Sequence, residues 1–216
     1  RAIPDDSDNV WEASTIEVPA IGYVVDLSAS ADLCMVMIVS SSITAPHHSI
    51  HALDGKSGLI MRTWTTSQLA YTAVDSTGMY VTISYREQFR IYHRNENTGL
   101  LSQSPIYVVD VTEICRDSGF CVINTEGTAI IGVMYPTSDL GIWSTRTGAL
   151  LARLQGHTSA PCSICANPDL SKVITTGQDG TIRVWSLDKR FLELNAAVAD
   201  AGLENLQMAI NKVNVL

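Results

Sequence analysis

Lys172-Val173-Ile174-Thr175-Thr176-Gly177-Gln178-Asp179-Gly180-Thr181-Ile182-Arg183-Val184-Trp185-Ser186 lies over Met79-Tyr80-Val81-Thr82-Ile83-Ser84-Tyr85-Arg86-Glu87-Gln88-Phe89-Arg90-Ile91-Tyr92-His93 without a gap. In both stretches two short β-type runs flank a tight turn, with Thr175 over Thr82, Ile182 over Phe89, Val184 over Ile91 and Trp185 over Tyr92. An internal repeat decides the reading of a whole chain, because each copy buries its apolar face only against its neighbours. A third copy ends at Leu140-Gly141-Ile142-Trp143-Ser144 and a fourth at Ser49-Ile50-His51-Ala52-Leu53-Asp54. After each comes a turn and a new strand: Lys56 to Ile60, Asn97 to Leu101, Arg146 to Leu150, and a looser version at Lys189 to Leu192.

The rest of the chain has the same texture. Short runs such as Tyr23 to Leu27, Cys34 to Val39, Ile106 to Val111, Phe120 to Asn124 and Ala129 to Met134 alternate with turn-forming clusters at Ser28 to Asp32, Asp75 to Gly78, Glu126-Gly127 and Asn167 to Asp169. No helix-period segment interrupts them before residue 194, which argues against a parallel βαβ sheet. The anchors Leu53, Tyr92, Trp143 and Trp185 are separated by 39, 51 and 42 positions, close to the ~40–45 residues of a four-stranded propeller blade with loop insertions.

Composition narrows the function classes. The 216 residues carry 14 Lys plus Arg against 22 Asp plus Glu, a formal charge of −8, with a pI near 5.0. That balance argues against a broad basic footprint for nucleic acid or anionic membrane. No apolar run reaches the ~18 residues of a membrane span, and Arg1 opens an acidic leader over 1–14 rather than a signal peptide. A soluble, intracellular and cytoplasmic chain is expected, with no membrane insertion. The absence of an initiating Met points to a start inside a longer polypeptide. Five cysteines, Cys34, Cys115, Cys121, Cys162 and Cys165, are an odd number without disulfide-scaffold spacing and read as reduced thiols buried in strands.

The last copy carries a signature. Leu150 to Leu154, Gly156-His157, the run Cys162 to Ala166, the turn Asn167-Pro168-Asp169 and Thr175 to Ser186, with 29 positions from Gly156 to Trp185, closely resemble a WD repeat. The resemblance implies an all-β propeller in which His157, Thr175, Asp179 and Trp185 form a structural hydrogen-bonded set. The other copies are degenerate: Arg86 and Thr137 stand at the hairpin Asp position, and the Gly-His pair has no clear equivalent. On this reading the repeats run over about 15–54, 59–94, 100–144 and 149–186, with a further outer strand at 191–194. Leu203, Leu206, Ile210 and Val213 then recur at helical spacing, giving an amphipathic helix over 195–216. Four copies make only part of a larger ring, so further blades are expected from the parent chain or another subunit.

Catalytic and cofactor chemistry finds little support. Thr175 lies in mid-strand rather than on an exposed nucleophile elbow, and no Gly-rich phosphate loop or paired-carboxylate set is present. Cys162 and Cys165 are three apart, which in a regular strand places them on opposite faces, unsuited to sharing a metal. His47, His48 and His51 sit in an insertion read as a solvent-facing loop. No cofactor, metal or catalytic residue is assigned.

What remains is display of loops on a rigid scaffold. The resemblance implies binding of proteins or peptides within a multi-subunit complex. The rim carrying the turn within each second hairpin and the turn into each first strand brings forward Tyr85, Arg86, Arg116, Asp117, Tyr135 and Gln178, with the loop Ser40 to His48. The alternative is a regulatory or ligand-sensing propeller attached to an enzymatic module, such as a nucleotide-hydrolysing switch or a ubiquitin-ligase component.

Overall fold

The computed structural model describes residues 22–42, 47–111, 120–134, 136–188 and 190. The expected leader, the outer strand at 191–194, the C-terminal helix and Cys115, Arg116, Asp117 and Tyr135 lie outside them.

Fifteen strands are assigned among the described residues, in four antiparallel sheets. The first holds β1 (Gly22–Ala29), β2 (Val36–Ser42), β3 (His48–Leu53) and β4 (Ile60–Thr66). The second holds β5 (Tyr71–Val74), β6 (Tyr80–Ser84), β7 (Gln88–His93) and β8 (Tyr107–Asp110). The third holds β9 (Cys121–Ile123), β10 (Ala129–Val133), β11 (Leu140–Ser144) and β12 (Leu150–Leu154). The last holds β13 (Pro161–Ala166), β14 (Lys172–Gly177) and β15 (Ile182–Ser186). Strand order within each sheet follows the chain, as in a meander, and the first strands β1, β5, β9 and β13 are neighbours in turn. This is the all-β, four-blade propeller arrangement that the repeat implies.

The core lies between the sheets. Met37, Val39 and Ile50 of the first blade pack with Val81, Ile83 and Tyr92 of the second. Phe89, Ile91 and Val109 of the second meet Cys121, Ile130 and Trp143 of the third. Ile131, Val133, Leu140 and Ile142 of the third meet Val173 and, less buried, Ile164 and Trp185 of the last. Alternation explains the pattern: successive residues of a strand face opposite neighbours, so a strand clamped between two blades is apolar on both sides. The anchors Leu53, Tyr92, Trp143 and Trp185 all fall on third strands.

Degenerate sequences still fold into the same turns. Between first and second strands, Ser30, Asp75, Asn124 and Asn167 each donate their N–H to the carbonyl five residues on, at 2.9 to 3.2 Å. Their side-chain oxygens cap the same turn, as when Asp75 Oδ1 accepts from Tyr80 N at 2.6 Å and Asn167 Oδ1 from Lys172 N at 2.8 Å. The fourth turn position has positive φ in every blade: Leu33 (60°), Gly78 (72°), Gly127 (66°) and Leu170 (59°). Two leucines thus occupy a conformation that glycine adopts without strain.

The pairing register corrects the ungapped overlay. Val173 pairs with Trp185 and Thr175 with Arg183, whereas Val81 pairs with Tyr92 and Ile83 with Arg90. The hairpin turn holds five residues between the paired Thr176 and Ile182 but four between Ser84 and Phe89. With Trp185 on Tyr92, the counterpart of Thr175 is therefore Ile83, not Thr82. A one-residue slip moves every side chain to the other face: Ile83 packs toward the first blade, while Thr82 is fully buried and its hydroxyl has no partner.

Two further expectations change. Cys162 and Cys165 are exposed free thiols, not buried ones. A register irregularity between Pro161 and Ser163 breaks the alternation at Cys162, and Cys165 pairs with Ile174 on the outward face of the last blade. The histidine segment is strand rather than loop from His48 onward. His51 is buried in β3, its Nδ1 3.1 Å from Thr63 Oγ1, and desolvation holds its pKa below the usual histidine value.

Candidate functional site

In antiparallel blades the second-to-third-strand turns and the connections between blades emerge on one rim, and the other turns on the opposite one. Two constructions on that first rim contrast.

In the last blade the six-residue connector from Leu154 to Pro161 carries His157, which is buried against the hairpin. Its Nδ1 lies 2.9 Å from Asp179 Oδ2 and its Nε2 2.8 Å from Thr175 Oγ1, while Trp185 Nε1 donates to Thr175 Oγ1 at 2.9 Å. The donor inventory fixes one consistent direction for a neutral ring: indole N–H to Thr175, Thr175 hydroxyl to Nε2, Nδ1–H to the carboxylate. Asp179 also accepts from Thr158 N at 3.0 Å, Thr181 N at 3.0 Å and Thr181 Oγ1 at 2.7 Å. These donors, the Thr158 N–H foremost, hold its carboxyl well below the usual carboxylate range. The set ties the connector, both hairpin strands and their turn together. Thr175 is only 1% exposed and is engaged on both sides, so its hydroxyl cannot serve a substrate.

The first two blades build the same rim differently. The connector from Thr66 to Tyr71 is two residues shorter, with four residues between the strands against six, and has no histidine. Tyr85 opens the hairpin turn as Gly177 does in the last blade: each donates its N–H to the last carbonyl of its turn. A side chain at Gly177 would meet His157 Nδ1 at 2.6 Å, so the tyrosine and the histidine are alternative fillings of one space. Without the histidine, a groove of about 370 Å³ opens between the blades, lined by Trp64, Thr66, Gln68, Tyr85, Glu87 and Arg90 among others.

The groove is held from below. Arg62 lies 4.7 Å over the Trp64 ring and 5.5 Å over that of Tyr92, and its guanidinium donates to the Ser102 carbonyl and, at 2.6 Å, to that of Gln103. Trp64 and Tyr92 meet at 5.3 Å. At the mouth, Arg90 sits 4.8 Å over Tyr85, and its Nε donates to Gln88 Oε1 at 2.5 Å. Among the described residues Arg90 has no carboxylate partner.

Of the rim residues singled out in the sequence, Tyr85 is 7% exposed and lines the groove, Arg86 is exposed beside it, and Gln178 is exposed in the last blade's hairpin turn. The structure brings Tyr85 and Arg86 together and leaves Gln178 apart from them. Sequence reasoning missed Trp64, Gln68 and Arg90. The signal present was the missing Gly-His pair ahead of the second copy. Among the described residues no three His, Cys, Asp or Glu side chains gather as a metal site, and no helix is long and apolar enough to cross a membrane.

Comparison with known proteins agrees with the geometry. Residues 148–186 match the family model "WD domain, G-beta repeat". Over 187 residues the chain is 22% identical to Autophagy-related protein 16 of Arabidopsis thaliana, covering 85% of this chain and 33% of that protein. Over 99 residues it is 30% identical to the Periodic tryptophan protein 2 homolog of Neurospora crassa, covering 43% and 11%. The chain thus spans a third or less of these relatives. The β-propeller domain of Myceliophteria thermophila Cps50 (Swd1) superposes with a TM-score of 0.56 at 14% identity, covering 78% of this chain and 55% of that one. Taken with the four adjoining sheets and the hydrogen-bonded quartet, residues 148–186 form a WD repeat, and the chain as a whole has the fold of a β-propeller arc.

Proposed function

We propose that the chain is a noncatalytic interaction scaffold: a propeller segment within a larger protein that holds partner proteins or peptides on its rim. The groove between the first two blades carries this reading. It is a preformed recess on rigid strands, walled by Trp64 and Tyr85 with a cation at its mouth, and aromatic and Arg residues dominate binding energy at interfaces.

The ends of the arc support membership in a larger ring. Leu27 at one end, and Ile174, Ile182 and Val184 at the other, are 63%, 41%, 73% and 66% exposed. Apolar faces of this kind are covered in stable proteins, and further blades of the parent chain or of another subunit would cover them. The reading also includes cytoplasmic residence.

The test is recovery of the full-length parent from cells with its associated proteins. Arg86→Glu and Arg116→Glu are expected to remove at least one associated protein while the parent remains folded. An unchanged set of associated proteins with both variants, or none with the native parent, would overturn the proposal.

A further inference from the structure

Resting on the scaffold reading above, we propose that the groove between the first two blades takes an extended peptide of a partner protein that places one Asp or Glu side chain on Arg90. Three observations converge on that chemistry. The space is open: the shorter connector here carries no histidine, and Tyr85, which takes the corresponding place, lines the groove without closing it. The cation in it is preorganised: stacking on Tyr85 and the Nε bond to Gln88 Oε1 fix the guanidinium plane and leave Nη donors for a ligand. A planar fork already held in place matches a carboxylate and loses little entropy on binding it.

The remaining lining selects further. Glu87 shares the groove, and its charge opposes a phosphate dianion more than a single carboxylate. Thr66 and Gln68 offer neutral hydrogen-bonding groups, and Trp64 offers an apolar wall for a neighbouring aliphatic or aromatic side chain. A volume of about 370 Å³ is at the small end of the ~300–1,000 Å³ of ligand sites. It suits the side chains of a short peptide stretch. The net charge of −8 does not forbid an acidic ligand, since physiological salt screens exposed charges beyond ~8 Å.

Random heptapeptides displayed on phage, selected on the full chain, provide the test. The expected consensus has Asp or Glu next to an apolar residue. Selected peptides, synthesised and measured by fluorescence anisotropy, are expected to lose about tenfold or more in affinity for Arg90→Gln. Because Arg90 also packs on Tyr85, Gln68→Glu provides a second probe: it changes an exposed side chain and is expected to weaken binding several-fold by repulsion. Ile182→Ser, on the outward face of the last blade, is expected to leave binding unchanged. The proposal is overturned if no acidic consensus emerges, if both groove variants bind normally, or if phosphoserine in place of the acid binds more tightly. Peptides that bind regardless of groove variants would end this proposal and leave the scaffold reading standing. A parent protein without associated proteins would end the scaffold reading itself.

Discussion

Replacing Thr175 and Thr82 by valine, one at a time, separates two descriptions of the repeat. The ungapped sequence overlay makes these threonines equivalents, whereas the sheet register makes Thr175 the counterpart of Ile83. Thr175→Val keeps the side-chain shape but strands the buried His157 Nε2 and the half-buried Trp185 Nε1. An unsatisfied buried group costs about 1–3 kcal/mol and a half-exposed bond about 0.5–1.5. Burial of the added methyl returns roughly 0.8 kcal/mol. The net is about 2 kcal/mol. Thr82 is fully buried with an unpartnered hydroxyl, so Thr82→Val removes a penalty and stabilises by about 1 kcal/mol. Stability in stacked repeats is largely local, and amide hydrogen exchange read by mass spectrometry resolves it. At 1.4 kcal/mol per factor of ten, Thr175→Val should speed exchange in β14 and β15 about 30-fold, and Thr82→Val should slow it in β6 about fivefold. Acceleration in both variants would mean that the overlay and not the register describes the fold. No change in β14 and β15 would show that the quartet does not hold the hairpin.

Other perturbations bear on the same account. The Asp179 carboxyl is depressed below its unfolded-state value, so its stabilisation is present above pH ~4 and is lost as pH falls toward the folded-state value. Exchange in β14 and β15 should therefore accelerate on acidification below pH ~4, and Asp179→Asn should flatten that dependence. Gly127→Ala places a Cβ 2.4 Å from the Tyr80 ring at φ +66°, whereas Gly148→Ala at φ +72° meets nothing within 4 Å. Both pay ~1–2 kcal/mol for the left-handed backbone, and the first should pay a further ~1–3 kcal/mol for overpacking, read from urea midpoints. Leu33 is exposed at φ 60°, so Leu33→Gly should be neutral or stabilising by up to ~1 kcal/mol, while Leu170→Gly, which empties a buried site, should cost ~2–4 kcal/mol. Cys162 and Cys165 should react with maleimide in the native chain. Cys121, buried and with its thiol pKa pushed up by desolvation, should resist until unfolding.

Much of this architecture is legible in the sequence because its physics is local. Runs such as Tyr80 to Ser84 and Ala129 to Met134 alternate on the strand period, and the turn residues Asp75, Asn124 and Asn167 cap their own loops. The quartet residues were legible for another reason: a buried imidazole, carboxylate, hydroxyl and indole need partners, and the WD signature names them. The register of the second blade was not, because a hairpin shortened by one residue still leaves a threonine in the strand. Nor was the exposure of Cys165, which depends on what adjoins the last blade rather than on β13 itself. The groove was half-legible. The loss of His157's counterpart shows in the connector, but Arg90 over Tyr85 depends on the register of the shortened hairpin, and Trp64 on Tyr92 arises only when two blades meet.

A photo-cross-linking residue placed in the full-length parent, either at Arg86 on the groove rim or at Lys56 on the opposite rim, interrogates the interaction claim where it is made. Both side chains are exposed, so reach is equal and only the presence of a bound protein differs. The account predicts covalent capture of another protein from position 86 and little from position 56. Capture from 56 alone, or equally from both, would contradict it.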